Sequence, residues 1–512
     1  MISARQKTRQ TRIVCTLGRL HGPSQPEMAT AFFDAGMNVA RLNMSHCDKD
    51  YAKEAEVLNW VHELGLPDRG PRLATLGDLQ GPKIRLGFVA KEHATLPTGE
   101  SIVLRRATHS DDEAVLPIAP PLADHVFEGL ARALAEGRGP ISMTLGDGDA
   151  ILSVDSIQGE EAVARVVEGG PVRSRMGFTA RGVAMDIETF TDKDRQDLKF
   201  LMEHNVTYVG VSFVKSAEDL RRIRCYIRDT LGISRHVPLI AKIETADAVY
   251  NIQSILEKSE GVMVARGDLG LHIDIEEVPE VQKRIVELGR MTAKPVIIAT
   301  QMLESMTRNP EPTRAEVTDV FNAIVDGCDA VMLSGETSYG DHPLKAIGVM
   351  ERIAFRAELW RDSQRTEAQA RQLLDGLYER FPDFASHEMN RLNDEIALAV
   401  HKLADGVGAK AIATITTTGA STRRVARFRS RVPIIAAGED VDIMRQLILT
   451  HGTHPLVMEN DEGTPFEERV QQLSKRLQSL GLIRSGDIVI LSGGQTPWPK
   501  GSTNLLKVLL VD

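Results

Sequence analysis

YVGVSFV (208–214), PLIAKI (238–243), GVMVA (261–265), PVIIA (295–299) and AVML (330–333) are short runs of β-branched and other apolar residues in the middle of the chain. They are apolar along their length rather than alternating, which is how a parallel strand buried on both faces reads. Between them, stretches 219–229, 246–258, 278–291 and 314–325 carry apolar residues at helical spacing. Towards the N-terminus, RIVCT (12–16), NVARLN (38–43) and RLATL (72–76) add further strands of the same kind. Strand–helix alternation with eight strands in all predicts an α/β fold, a closed (β/α)8 TIM barrel. A doubly wound open sheet is the alternative, because periodicity carries no information on closure.

The alternation lapses over residues 88–181, where alternating runs at 101–105, 151–154 and 162–167 sit among turn residues. This stretch is read as a small β-barrel lid domain inserted after the third barrel strand, dividing the barrel into residues 1–87 and 182–352. A long polar helical segment, 352–379, follows the last barrel strand. Strands expected at 411–415, 432–436, 455–458, 487–491 and 507–511 make residues 353–512 a C-terminal α/β domain with a regulatory role.

Composition narrows the class of protein. The chain has 512 residues, 42% hydrophobic and 26% charged, with a net charge of −10, which disfavours a nucleic-acid backbone as partner. No apolar run approaches the ~20 residues of a membrane span, and the basic residues 1–12 are not followed by a signal-like apolar stretch. Cys15, Cys47, Cys225 and Cys328 lie far apart, which argues against a zinc site or disulfide framework and for a reducing, cytoplasmic setting.

In a barrel of this kind, polar residues at strand C-termini line the active site. The expected strands end in Arg41 with Asn43 and Ser45, Asp78 with Arg85, Lys242 with Glu244, Asp268, Thr300, and Ser334 with Glu336. Any one of these is as well explained by a solvated loop or a structural ion pair; their convergence on one rim is not. Glu244 and Asp268 have no His or Cys nearby, which suits a hard oxygen-seeking cation such as Mg²⁺ or Mn²⁺. Lys242 precedes Glu244 by two residues, so in a strand both side chains share a face. Arg41 and Arg85 offer forked donors for phosphate oxygens. Metal, lysine and arginine around one point is the equipment of phosphoryl transfer, where catalysis is positioning and charge stabilisation.

MNVARLNMSH (37–46), GDLQGPKIR (77–85), AKIET (241–245), GVMVARGDLG (261–270), IIATQMLESM (297–306), PTRAEVTDV (312–320) and VMLSGET (331–337) closely resemble the pyruvate kinase family, in that family's order. The resemblance implies roles. Lys242 stands as the catalytic lysine, and Glu244 and Asp268 as the ligands of Mg²⁺ or Mn²⁺. Arg41 and Arg85 match phosphate-contacting arginines. Gly267, Asp268 and Thr300 match the groups that hold the substrate carboxylate, the first two through backbone N–H. Thr300 and Ser334 belong to the network that protonates the enolate, with Glu336 in support. It further implies phosphoenolpyruvate and ADP as substrates, a homotetramer, and a phosphorylated effector at Thr416, Thr417, Thr418 and Ser421, with a second effector loop at 499–502.

Three departures stand out. Many members carry DTKGPEIR where this chain has DLQGPKIR, so Lys83 replaces a glutamate beside a bound K⁺. Asn43, Ser45, Asp78 and the Leu79 carbonyl keep the makings of that monovalent-cation pocket, and the Lys83 ammonium is expected to serve as an internal cation near Asp78, so that K⁺ is not required. The turn at 16–21 lacks the proline that borders the nucleotide in the family. The turns at 179–182 and 186–188 lack prolines of the lid hinge. These changes leave two alternatives beside an active kinase: an oxaloacetate-decarboxylating enzyme using the same enolate chemistry, and a non-catalytic regulatory paralog.

Overall fold

The computed structural model describes residues 9–512 apart from 19–24, 48–49, 65–69, 147, 184, 365, 459–463 and 495–502. Eight parallel strands close into a barrel: β1 (Arg12–Leu17), β2 (Val39–Asn43), β3 (Ala74–Asp78), β4 (Tyr208–Val211), β5 (Leu239–Ile243), β6 (Gly261–Ala265), β7 (Val296–Ala299) and β8 (Ala330–Leu333). Each strand pairs with its neighbours in sequence, and β1 pairs with β8 to complete the ring, which excludes the open sheet. Alternate residues serve two packing jobs. Val14, Val39, Leu76, Ile240, Met263, Ile297 and Met332 form one buried cluster. Ile13, Cys15, Leu42, Val264, Ile298 and Leu333 join the larger core shared with the helices. Ile448 and Leu449 of the C-terminal domain cap the first cluster, and the Tyr208 hydroxyl donates to the Gln446 carbonyl at 2.6 Å.

The inserted domain is a six-stranded sheet of Ser101–Arg106, Val115–Ile118, Ile141–Leu145, Ala150–Gln158, Glu161–Glu168 and Phe178–Ala180. Its two edges meet through single bridges, Arg85 to Gly177 and Leu86 to Ile118, so the small barrel is closed by a two-residue stitch rather than a full strand. A helix absent from the sequence reading, Ala123–Ala135, covers it. Ala123, Val126, Phe127, Leu130 and Ala133 are its buried stripe, at helical spacing.

The segment expected as one helix over 352–379 is two, Pro343–Ser363 and Glu367–Arg380. The second starts at a capping box in which the Gln369 side chain accepts from the Thr366 backbone N–H at 3.1 Å. The C-terminal sheet runs Thr453–Val457, Ile434–Gly438, Ala411–Ile415, Ile488–Gly493, Leu505–Leu510, with the last strand antiparallel.

Candidate active site

Barrel register assembles the site. The β1–β2 pairing sets Thr16 beside Arg41, and the β2–β3 pairing sets Asn43 beside Asp78. Arg41 donates to Asp78 Oδ2 from Nε at 2.8 Å, pairs with it through Nη2 at 2.7 Å, and reaches the Thr16 hydroxyl from Nη1 at 2.8 Å. The Lys242 ammonium lies 2.7 Å from Ser212 Oγ, 2.9 Å from Glu244 Oε1 and 3.3 Å from Asp78 Oδ1. Ser212 in turn donates to the Leu79 carbonyl at 2.7 Å. Asp78 and Glu244 are both 1% exposed, so these charges balance one another out of reach of water.

Burial alone would raise the Asp78 carboxyl, but Lys242 and Arg41 outweigh it and hold Asp78 below the usual carboxylate range. Burial would lower Lys242; Asp78 and Glu244 reverse that and hold its ammonium charged well above the ordinary lysine value. Glu244 shifts upward, because burial outweighs Lys242 and the Asp268 charge adds to it. A cation between Glu244 and Asp268 would relieve both causes. Among the described residues no cluster of three or more His, Cys, Asp and Glu that could hold a metal ion forms.

Across the mouth, β6 runs into the helix Arg266–His272, and the Gly267 N–H donates to Thr300 Oγ1 at 2.8 Å. Thr300 follows β7 in the left-handed region, φ +68°, and its hydroxyl donates to the Ala299 carbonyl at 2.6 Å. The Ser334 hydroxyl oxygen is buried without a hydrogen bond, while its N–H donates to Glu336 Oε2 at 2.7 Å. Glu336 also accepts from the Leu303 N–H at 2.9 Å, and burial pushes its carboxyl up. A cleft of 470 Å³ is lined by Arg41, Asn43, Lys83, Gly267, Asp268, Thr300 and Ser334, so Arg41, Asn43, Asp268, Thr300 and Ser334 of the residues read from strand ends share one cleft.

Two do not sit where expected. Lys83 pairs with Asp268 Oδ1 at 3.1 Å, not with Asp78, whose oxygens face Arg41 and Lys242. Arg85 lines a second cleft of 600 Å³ between barrel and lid, where it donates to the Arg175 carbonyl at 3.1 Å. Burial and the Arg175 charge both lower its pKa. The two clefts share His46, Lys83 and Asp268, so they adjoin at these side chains.

Asn43 Oδ1 accepts from the Ser45 N–H at 3.2 Å. At the hinge, Arg181 stands where the family has proline. Its N–H donates to the Ser142 carbonyl at 3.0 Å and its guanidinium pairs with Asp274 on the barrel. Glu188 pairs with Arg195 at 2.9 Å. Residues 19–21 of the first turn lie outside the described residues.

In the C-terminal domain Thr416 Oγ1 accepts from the Gly419 N–H at 2.9 Å, and Thr418 Oγ1 from the Ala420 N–H at 3.4 Å, ahead of the helix Ala420–Ala426. Thr417 is exposed and Ser421 is buried. The basic run that follows is largely structural: Arg424 and Arg427 pair with Asp394, and Arg429 with Asp329. Residues 499–502 lie outside the described residues.

Strand-end reasoning passed over Thr16, Ser212 and His46. Thr16 is the penultimate residue of β1 and Ser212 follows β4, so the strand-end rule finds Thr16 and Ser212 when applied to all eight strands.

A closed (β/α)8 barrel that gathers an arginine, a lysine and two carboxylates at its strand C-termini has the layout of a barrel enzyme. The chain matches the family described as "Pyruvate kinase, barrel domain" over residues 8–347 and "Pyruvate kinase, alpha/beta domain" over 394–509. It is 36% identical to a pyruvate kinase of Mycobacterium intracellulare over 501 residues, 98% of each protein. It is 34% identical to a pyruvate kinase of Thermotoga maritima over 504 residues, 98% of this chain and 100% of that protein. The solved structure of a pyruvate kinase from Cryptosporidium parvum aligns with a TM-score of 0.85 at 28% identity, covering 100% of this chain and 98% of that one. The chain belongs to the pyruvate kinase family. Among the described residues no helix is long and apolar enough to cross a membrane.

Proposed function

We propose that this chain moves the phosphoryl group of phosphoenolpyruvate onto ADP, giving pyruvate and ATP, and works in the cytoplasm. The observation that carries this reading is the buried Lys242 ammonium, held between Asp78 and Glu244, in a barrel whose cleft is lined by Arg41, Asp268 and Thr300. The bond between phosphorus and the enol oxygen breaks, a β-phosphate oxygen of ADP takes the phosphoryl group, and the enolate gains a proton at carbon. Lys242 and Arg41 stabilise charge on the moving group. The Gly267 and Asp268 N–H groups and Thr300 orient the carboxylate. Thr300 and Ser334 belong to the path by which the proton arrives. Glu244 and Asp268 would hold Mg²⁺ or Mn²⁺, which when bound would supply Lewis-acid polarisation of substrate oxygens.

A coupled assay with phosphoenolpyruvate, Mg²⁺ and a panel of nucleoside diphosphates tests this directly. Pyruvate formation that requires a nucleoside diphosphate supports the kinase. Turnover of oxaloacetate without nucleotide, and none of phosphoenolpyruvate, overturns it.

Lys83 is read as the internal cation of the monovalent pocket formed by Asn43, Ser45, Asp78 and the Leu79 carbonyl. Its ammonium is a third exposed and held by Asp268, a contact loose enough to be redirected as substrate enters. Activity in Na⁺ or Tris buffer is expected to equal activity in K⁺. Lys83→Glu is expected to lose most activity without K⁺ and regain part of it when K⁺ is added. Strong stimulation of the unmodified enzyme by K⁺ would return Lys83 to the status of a rim residue that neutralises Asp268.

The assembly is read as a homotetramer with a phosphorylated effector at Thr416, Thr417, Thr418 and Ser421. The effector is expected to raise substrate affinity by favouring one quaternary state. Sedimentation should give four copies, and Thr418→Glu should abolish the response to sugar phosphates and nucleotides while leaving turnover at saturating substrate. A monomer, or an unchanged response, counts against it.

A further inference from the structure

Thr300 and Gln301 are consecutive non-glycine residues in the left-handed region, at φ +68° and +53°. A β-branched residue there is strained and persists only where its surroundings impose it. The imposing group is visible. Arg266, the first residue of the helix after β6, sends Nη2 to the Thr300 carbonyl at 2.8 Å and to the Gln301 carbonyl at 3.3 Å. Its Nη1 is fixed on Asp319 Oδ1 at 2.7 Å.

Asp319 stands on the helix Arg314–Asp326, which is itself anchored. Glu316 caps that helix through Thr313 and also accepts from the Ser305 N–H at 2.7 Å, in the loop that continues from Gln301. The guanidinium of Arg266 is 11% exposed and lines neither cleft. Its donors are taken up by protein groups, and it clamps the carbonyls of Thr300 and Gln301, whose backbone sets where the Thr300 hydroxyl points.

We propose that Arg266, anchored by Asp319, is the positioning residue that holds Thr300 in its left-handed turn and so shapes the cradle for the substrate carboxylate. This rests on the phosphoenolpyruvate reading of that cleft. The planar fork is essential to it: one guanidinium spans two successive carbonyls and a carboxylate, which a lysine ammonium does not. Gly267 completes the arrangement from the other side, its N–H donating to Thr300 Oγ1 at 2.8 Å.

The test uses the full-length enzyme with Mn²⁺ and two readouts: steady-state kinetics, and calorimetric binding of oxalate, a planar probe for the carboxylate cradle that needs no turnover. Arg266→Lys is expected to raise KM for phosphoenolpyruvate about tenfold and to weaken oxalate to a similar degree, with KM for ADP within about twofold. Adding Gln301→Gly to Arg266→Lys is expected to recover part of the oxalate affinity, because glycine adopts positive φ without strain and reduces what the clamp must impose. Asp319→Asn, which leaves Arg266 in place but loosens its anchor, should show the same selective loss in weaker form and serves if the arginine variants fail to fold. Equal losses for phosphoenolpyruvate and ADP, tracking a fall in thermal midpoint and not recovered by Gln301→Gly, would overturn the proposal. Tight oxalate binding that depends on Arg266 in an enzyme without phosphoenolpyruvate turnover would overturn the kinase reading instead.

Discussion

Lys242→Met is expected to lower kcat by about 10³-fold while Mn²⁺ still binds, as read by the loss of free-ion signal in electron paramagnetic resonance. Methionine is close to lysine in length and apolar, so the β5 backbone has no reason to move. What disappears is the one ammonium that faces both Asp78 and Glu244. Charge on a transferring phosphoryl group and on a departing enolate develops only as the bond breaks, so a cation fixed beforehand acts on the transition state more than on bound substrate. The loss should therefore appear in kcat, with a small change in KM for phosphoenolpyruvate. Glu244, already raised by burial with Lys242 opposing it, should rise further in the variant, so Mn²⁺ binding should need a higher pH than in the unmodified enzyme. Turnover within tenfold of the unmodified enzyme would show that the catalytic cation lies elsewhere.

Parts of the fold were legible for a specific physical reason. The barrel strands are buried on both faces, so their apolar runs stand out whatever surrounds them, and Gly261–Ala265 and Ala330–Leu333 coincide with the observed elements. The helix Ala123–Ala135 was lost because Pro120–Pro121 before it and Gly137–Gly139 after it read as turn residues, although its own buried stripe was there to be seen. The break near Thr366 was likewise written as a Thr-x-x-Gln cap inside a polar stretch without a strong periodic signal.

In the site, Arg41, Asp78, Lys242 and Glu244 follow from strand ends and from the two-residue period of a strand. Long side chains are different, because position in sequence does not say where their tips go. Lys83 reaches Asp268 rather than Asp78, and Arg85 turns to the Arg175 carbonyl of the lid. The hinge shows a compensation that residue identity alone conceals. Where a proline would restrict the backbone at 181, this chain has an N–H bonded to Ser142 and a guanidinium paired with Asp274. That ion pair is about half exposed, so it contributes on the order of 1 kcal/mol or less.

Asp78→Asn should be the costliest single change in stability at this site. The carboxylate is 1% exposed and answers two buried cations, Arg41 through Oδ2 and Lys242 through Oδ1. An amide of the same shape keeps the packing but leaves those cations undercompensated, a loss of about 3–5 kcal/mol for breaking a buried pair. The pH dependence separates this from a packing defect. Asp78 titrates below its unfolded value of about 3.9, so its contribution is fully present above that pH and disappears as pH falls through the folded value. The gap between the unmodified protein and Asp78→Asn in urea unfolding should therefore be flat from neutral pH down to about 5 and close under more acid conditions. At the other end of the scale, Lys242 is held charged against burial by Asp78 and Glu244 together. With Asp78 neutral, burial is opposed chiefly by Glu244, and the Lys242 pKa must fall. The alkaline limb of kcat should move to lower pH in the variant. A stability gap that persists unchanged in acid, together with an alkaline limb that does not move, would mean that Asp78 acts through packing and hydrogen bonding and not as the counter-charge of the catalytic lysine.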